Sequence, residues 1–318
     1  MAITYGTGVP ESKATSSEEF DRRLRRRRRS EFIFACLGLL ATSVGLFALA
    51  ILVIDLAMTG LQRLDVSFFT NYPSRRAGQA GILSAWVGSL LVTIVTGLVG
   101  VPLGVSAAIY LEEYAPTNWM TNIIEINVSN LAGVPSIVYG LLALGLFIYG
   151  FGTGRSILTA GLTLGLLILP IIIVATREAL RAVPSSLREA AYGVGATQWQ
   201  VTKDHVLPAA MPGVLTGVII GISRALGETA PLVTIGALSF IAFLPPSPIT
   251  LEFPFISFAW LFEGFTVLPI QAFNWVSRPG HDFQTNAAAA GLVLLAITLL
   301  LNGVAIYFRY RLRKRLQW

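Results

Sequence analysis

GVLTGVIIGISRALGETAPLVTIGALSFIAFL, residues 213–244, is a run of 32 residues carrying two charges, Arg224 and Glu228. About 20 apolar residues suffice to cross a bilayer, so the run predicts a membrane-spanning helix. At about 1.5 Å per residue, Arg224 falls about 17 Å along it, near the bilayer centre. An arginine there costs about 2.5–3.5 kcal/mol on insertion scales and needs a partner, a water-filled cavity or a functional role.

The rest of the chain has the same character. Apolar residues make up 54% and charged residues 13%, about half the usual globular share of charge. Six stretches reach spanning length, at 32–58, 81–111, 126–150, 156–176, 213–244 and 287–308. A core helix of a soluble protein would be shorter and would show a polar face. The fold expected is an all-α membrane protein with six transmembrane helices.

Six spans put both termini on one side, together with the loops at 111–126 and 177–212. Those segments hold 17 of the 23 basic residues, against five on the opposite side. Both termini are therefore expected in the cytoplasm. The net charge of +6 is explained by the Arg22–Arg29 cluster abutting a span, where it favours anionic lipid headgroups, and no nucleic-acid partner is expected. Arginines, an apolar run and Ala48-Leu49-Ala50 superficially resemble a cleaved signal. The apolar run continues past Ala50 without a polar break, so a retained first helix is expected. The expected organisation is a basic cytoplasmic tail at 1–30, a first helix with an external loop at 31–80, and a five-helix core at 81–318.

One cysteine, Cys36, and two distant histidines, His205 and His281, provide neither a disulfide framework nor a metal site, and no cofactor is expected. Nor does the chain carry its own ATP site. A phosphate-binding loop needs lysine after glycine, and none of Lys13, Lys203 and Lys314 follows one. Proline separates the spans into two kinds. The first and last contain none, while the four between them carry Pro102, Pro135, Pro170 and Pro231. Proline removes a backbone donor and kinks a helix, and irregular backbone at membrane depth is tolerated where it lines a cavity or is buried in protein. Four adjacent kinked spans suggest a translocation core, although kinks that merely aid packing would read the same way.

The loop at 177–212 is polar but structured in character. Pro184 stops what precedes, Ser185 or Ser186 is placed to cap a short helix through Glu189, and Gly193 and Gly195 break it into a helix-turn-helix. Its text, Glu189-Ala190-Ala191, then Gly195, then Leu207-Pro208, resembles the EAA loop of ABC importer permeases. The resemblance implies a type I ABC importer permease fold in which this loop couples to a separate ATPase. His205 departs from the family, which usually has isoleucine there, and Val206 is the substitute apolar contact expected.

Further stretches are similar to the permeases of phosphate importers: Leu131 to Gly140, Ile109 to Pro116, Arg224 to Pro231, and Leu268-Pro269-Ile270-Gln271 with Asn274-Trp275. Thr229-Ala230-Pro231 resembles the PstA-type subunit rather than its PstC-type partner. This likeness, over about residues 81–318, implies a complex with a PstC-type permease, two ATPase subunits and an extracytoplasmic phosphate-binding protein. It also implies that Arg224, Glu228 and Thr229 lie on the path of inorganic phosphate. Arginine can hydrogen-bond a tetrahedral oxyanion and stays charged. A simple ion pair would also explain Arg224 and Glu228, although arginine before glutamate is the less favourable helical order. The other readings are a sulfate or molybdate permease, an ATP-independent channel, or an intramembrane enzyme; Asp55 and Cys36 give the last no constellation of reactive groups.

The external loop at 245–285 carries Phe253, Phe255, Phe258, Trp260, Phe262, Phe265, Phe273 and Trp275. It reads as an interfacial anchor or as a landing surface rimmed by Glu252, Glu263, Arg278 and Asp282, and the two readings are compatible.

Overall fold

The computed structural model describes residues 12–237, 240–248 and 257–315, with Phe253, Phe255 and Glu252 of the aromatic loop outside them. The chain divides into two compact units at Asp55–Leu56. The first unit is helical. Helix α1, Ser12–Gly60, contains the predicted first span, and its side chains are exposed throughout residues 31–52.

The second unit holds the other spans. A short helix α2, Val66–Thr70, is capped by the Asp65 carboxylate, which accepts from Phe68 N at 2.9 Å. Helix α3, Leu83–Ile109, runs through Pro102 and ends in a π-helical turn, Tyr110–Tyr114. The third span is two helices, α4 at Trp119–Leu131 and α5 at Ser136–Ala143, the latter prolonged by π-helical turns to Gly150. Helix α6, Ile157–Arg181, runs through Pro170. Helices α7, Ser185–Gly193, and α8, Gln198–Gln200, form the loop, and a π-helical turn at Val201–Val206 leads into α9, Leu207–Gly227. The remaining helices are α10 at Ala230–Thr234, α11 at Leu268–Val276 and α12 at His281–Arg315.

Helix α6 lies between α3 and α9 and is the most buried of the long apolar helices. Lipid tails are as apolar as leucine, so membrane helices associate through close packing rather than through transfer out of water. The sequence supplies small residues at four-residue spacing on each side of α6. Gly100 and Gly104 of α3 meet Ile168 and Ile172, and a Cβ on Gly104 would stand 2.7 Å from Ile172 Cγ2. On the other side, Gly213, Gly217 and Gly221 form one stripe of α9, where a Cβ on Gly217 would stand 2.5 Å from Ala175 Cβ. The three helices thus pack closely, and a methyl group at Gly104, Gly213 or Gly217 would push them apart.

Two spans depart from expectation. The stretch 126–150 does not form one helix with an internal kink at Pro135: α4 and α5 meet at 106°. Pro135 is the residue before α5, with φ −54° and ψ 133°, so it starts the second helix instead of bending a continuous one. Lacking an N–H, it is well tolerated there and poorly tolerated inside. The stretch 213–244 is displaced as well. Its helix begins at Gln198, well before the predicted start, and stops at Gly227. Pro231 falls in the first turn of α10, again a helix start. Arg224 therefore sits in the last turn of α9 and not at the middle of a helix. The long apolar helices number five, or six when the bent pair is counted as one span.

Two smaller features of the loop differ too. Pro184, not Ser185 or Ser186, precedes the first residue of α7, and no side chain caps that helix. Helix α8 has the capping box instead, with Thr197 and Gln200 each bonding the other's backbone N–H.

Candidate functional site

The break between α9 and α10 places the charged pair. Helix α9 ends at Gly227, and Glu228 is extended, with φ −76° and ψ 128°. Arg224 and Glu228 still meet, Nε to Oε1 at 3.2 Å, because the chain turns the glutamate back over the last turn of the helix. The arginine side chain is 40% exposed and the glutamate 20%, so neither charge is sealed in the packed core. A cation in the last turn of a helix is favoured by the free carbonyls there. Arginine carries five N–H donors, and among the described residues only Nε has a partner; both Nη groups are uncommitted. The pair is therefore an ion pair that keeps a free guanidinium edge, the geometry that hydrogen-bonds two oxygens of an anion.

The surroundings tie the pair to neighbouring helices. Ser223 Oγ donates to Asn302 Oδ1 of α12, next to Arg224. Thr229 is the N-cap residue of α10, and its carbonyl accepts from Leu232 N and Val233 N. Helix α5 packs directly on α10: a Cβ on Gly140 would lie 2.7 Å from Pro231 O and would overlap Thr234 Oγ1. Asn302 carried no signal in the sequence beyond being one of the few polar residues in the last span.

The second cluster of interest is the α7–α8 loop. Glu189 and Ala190 are exposed on α7, while Ala191 is 5% exposed and packs with Leu180, Val183, Val201 and Val206. Gly195 has φ +85°, a left-handed conformation that glycine adopts without steric cost, and it turns the chain from α7 to α8. Leu207 and Pro208 are the first residues of α9, where the π-helical turn at Val201–Val206 passes into the α-helix. Val206 is fully buried in the loop's own core and so is not the apolar contact expected in place of the family isoleucine; His205 is exposed. The apolar side chains that do face outward are Tyr192, Val194 and Trp199, with Val194 84% exposed.

Charges fasten this loop to the ends of the spans. Arg188 of α7 grips Glu113 through Nη2 at 2.7 Å and Nε at 3.3 Å, and donates as well to the carbonyls of Val183 and Leu180. The hydrogen bonds to the Glu113 carboxylate raise the pKa of Arg188 above its ordinary value, against the opposing effect of burial. Arg177 and Arg181 of α6 both reach Glu112 and Glu125, at 2.8–3.2 Å. The sequence identified these residues only as loop charges or as parts of quoted motifs. Their pairing joins positions more than 50 residues apart, which no local pattern reports.

The aromatic loop is divided. Trp260, Phe265 and Trp275 are buried, and Phe258, Phe262 and Phe273 are exposed. Gln271 of the quoted motif is fully buried in α11, with neither amide atom partnered among the described residues. Among the described residues, no group of three or more His, Cys, Asp or Glu side chains could hold a metal.

Comparison with known proteins identifies the architecture. Phosphate transport system permease protein PstA 1 of Mycobacterium tuberculosis (strain CDC 1551 / Oshkosh) is 34% identical over 244 residues, covering 76% of this chain and 74% of that protein. The PstA protein of Yersinia pestis is 31% identical over 287 residues, covering 87% and 89%. Among solved structures, a bacterial alginate ABC transporter superposes with a TM-score of 0.63 at 15% identity, covering 91% of this chain and 98% of that one. The inward-facing methionine transporter MetNI superposes with a TM-score of 0.55 at 18% identity, covering 71% and 93%. These likenesses establish the type I importer permease fold expected from the loop text. Residues 100–318 match the family described as binding-protein-dependent transport system inner membrane component. The chain belongs to that family: it is a multi-pass permease subunit that works with a substrate-binding protein and an ATPase carried on a separate chain.

Proposed function

We propose that this chain is the PstA-type permease subunit of an ATP-driven importer of inorganic phosphate, paired with a PstC-type permease. The observation that carries the reading is the Arg224–Glu228 pair, half-exposed at a helix break with both Nη groups free, in a chain similar to phosphate permeases over most of its length. In this reading Arg224 attracts the anion, Glu228 limits how tightly it is held, and Thr229 lies beside them. The Glu228 carboxylate can accept a hydrogen bond from a protonated phosphate oxygen, which fully ionised sulfate lacks. In this reading Glu189, Ala190 and Gly195 lie on the surface that meets the ATPase, with Tyr192, Val194 and Trp199 as its exposed apolar part, while Ala191, buried beneath it, and Leu207 and Pro208 at the start of α9 hold that surface in place. The excess of basic residues supports a cytoplasmic position for this loop and both termini.

The test is reconstitution with the partner permease, ATPase and binding protein in liposomes. Uptake of phosphate that requires ATP and resists competition by sulfate or molybdate is expected. Arg224→Gln is expected to abolish it in a complex that assembles normally. Unchanged uptake in that variant would remove Arg224 from the pathway, and equal transport of sulfate would assign the other oxyanion.

A further inference from the structure

Helix α4, WMTNIIEINVSNL, is unusually polar for part of a spanning pair. Asn122, Glu125, Ser129 and Asn130 recur at helical spacing and, with Ile126, share one face. That face lines a groove of about 530 Å³. Among the described residues the side chains of Asn122, Ser129 and Asn130 meet no hydrogen-bond partner, whereas Asn127, off this face, donates to Ile123 O at 2.8 Å. Unpaired amides and hydroxyls are unfavourable against lipid tails, so such a face meets water or protein.

The two ends of the groove meet structures already described. At the loop end, Glu125 is held by Arg177 and Arg181, so the one acid lining the groove is neutralised, and the Arg181 side chain remains 44% exposed beside it. At the other end, Tyr139 Oη donates to Leu131 O, the residue after Asn130, and the next residue, Gly140, packs on Pro231 of α10, three residues beyond Glu228. The polar face thus leads from the neighbourhood of Arg224 to the end of the molecule that carries α7 and α8.

We propose that this face of α4 forms a water-filled vestibule, in which Asn122, Ser129 and Asn130 hydrate an oxyanion passing between Arg224 and the α7–α8 end. Neutral donors can solvate an anion without trapping it, which suits an exit segment, and the Glu125–arginine cluster removes the one repelling charge. The inference deepens the phosphate reading and rests on it for the identity of the anion, but the water-filled face can be tested without it.

Cys36 is the only cysteine, so a Cys36→Ala background allows single cysteines to be probed in the full reconstituted complex. With an anionic, membrane-impermeant methanethiosulfonate applied from the ATPase side, Asn122→Cys, Ser129→Cys and Asn130→Cys are expected to react at least tenfold faster than Ile124→Cys, which lies on another face. Equal, slow labelling of all four would show the face covered by lipid or by the second permease, and would overturn the proposal. In phosphate uptake, Asn130→Asp adds a repelling charge with almost no change of shape and is expected to slow transport at least fivefold, with the off-face control Asn127→Asp within twofold of wild type. Equal uptake by the two aspartate variants would likewise overturn it. A complex that labels as expected but carries no phosphate would refute the substrate reading and leave the vestibule standing.

Discussion

Breaking the Arg188–Glu113 link should loosen α7 without unfolding the spans. Glu113 is 8% exposed at its side chain and Arg188 22%, and two hydrogen bonds join them at 2.7 and 3.3 Å. Glu113→Gln keeps one acceptor oxygen but removes the charge. A hydrogen bond between charged groups is worth about 1.5–3 kcal/mol, and breaking a fully buried pair costs about 3–5 kcal/mol. Arg188 is partly solvated and retains the carbonyls of Val183 and Leu180, so a loss near the lower end, about 2 kcal/mol, is expected. At 1.36 kcal/mol per decade this is about a 30-fold rise in the local opening constant. Hydrogen exchange of the α7 amides in the purified complex measures it directly, with α6 as the internal reference. The double variant Glu113→Gln with Arg188→Met should lose less than the sum of the two singles, because the second change removes the charge that the first left unpaired. Exchange of α7 within threefold of wild type in Glu113→Gln would refute the claim that this pair anchors the loop.

Gly140→Ala should separate α5 from α10: its Cβ would lie 2.7 Å from Pro231 O, so backbone must shift by about 0.7 Å to reach ordinary contact, at a cost of about 1–3 kcal/mol. The expected outcome is a lower melting temperature of the purified complex and slower transport; a variant as stable and active as wild type would show that the contact is loose. The Asp65 cap should be sensitive to acid, because its hydrogen bond from Ser67 holds the carboxyl below its ordinary value of 3.8 and the Phe68 N–H and the Arg63 charge add to this. A depressed folded pKa contributes stability that is present above the unfolded value and is lost as pH falls through the folded one. Protection of the Phe68 amide should therefore hold at neutral pH and fall below about pH 4, and Asp65→Asn should remove the pH dependence.

The sequence disclosed what depends on composition or on short text. Charges inside apolar runs stand out, so Arg224 and Glu228 were identifiable at once, as were the EAA residues. The direction of the chain was less legible. Residues on both sides of Pro135 are apolar, and hydropathy measures how apolar a stretch is, not whether it turns through 106°. The end of α9 is hidden for a related reason: Pro231 has the sequence context of a kink inside a span, but it lies in the first turn of a new helix that begins three residues after the old one stops. Val206 shows the limit of substituting one apolar residue for another by position, because burial of its side chain is decided by Leu180, Val183 and Val201 on other turns of the loop. The polar face of α4 is faint in the sequence because asparagine and serine carry no charge and stand among apolar neighbours.

Where polar and small residues fall in this molecule follows from the solvent it is built for. Between apolar helices in lipid, transfer free energy does not choose a partner, and the choice passes to shape and to hydrogen bonds. Helices α3, α6 and α9 settle theirs by shape: glycine stripes bring backbones together, and such contacts have one register. Helices α4 and α7 lack that kind of contact with the frame. No residue of α4 is buried within this chain, and its ion pairs to α6 are those of Glu125 with Arg177 and Arg181. Helix α7 is held by Arg188 and a small apolar core. Elements fixed by a few charged links can detach and reattach at modest cost, whereas elements fixed by interlocked backbones cannot. If the loop moves with its ATPase, α4 and α7 are therefore the parts able to follow: α7 is tied to Glu113 at the end of α3, and α4 shares, through Glu125, the two α6 arginines that hold the adjacent Glu112. A displacement of α7 that strains Glu113 acts on the residue next to the one clamping α6 and, through its arginines, α4. That adjacency gives the loop a short physical route to the broken span, and through Gly140 and α10 to Arg224 and Glu228.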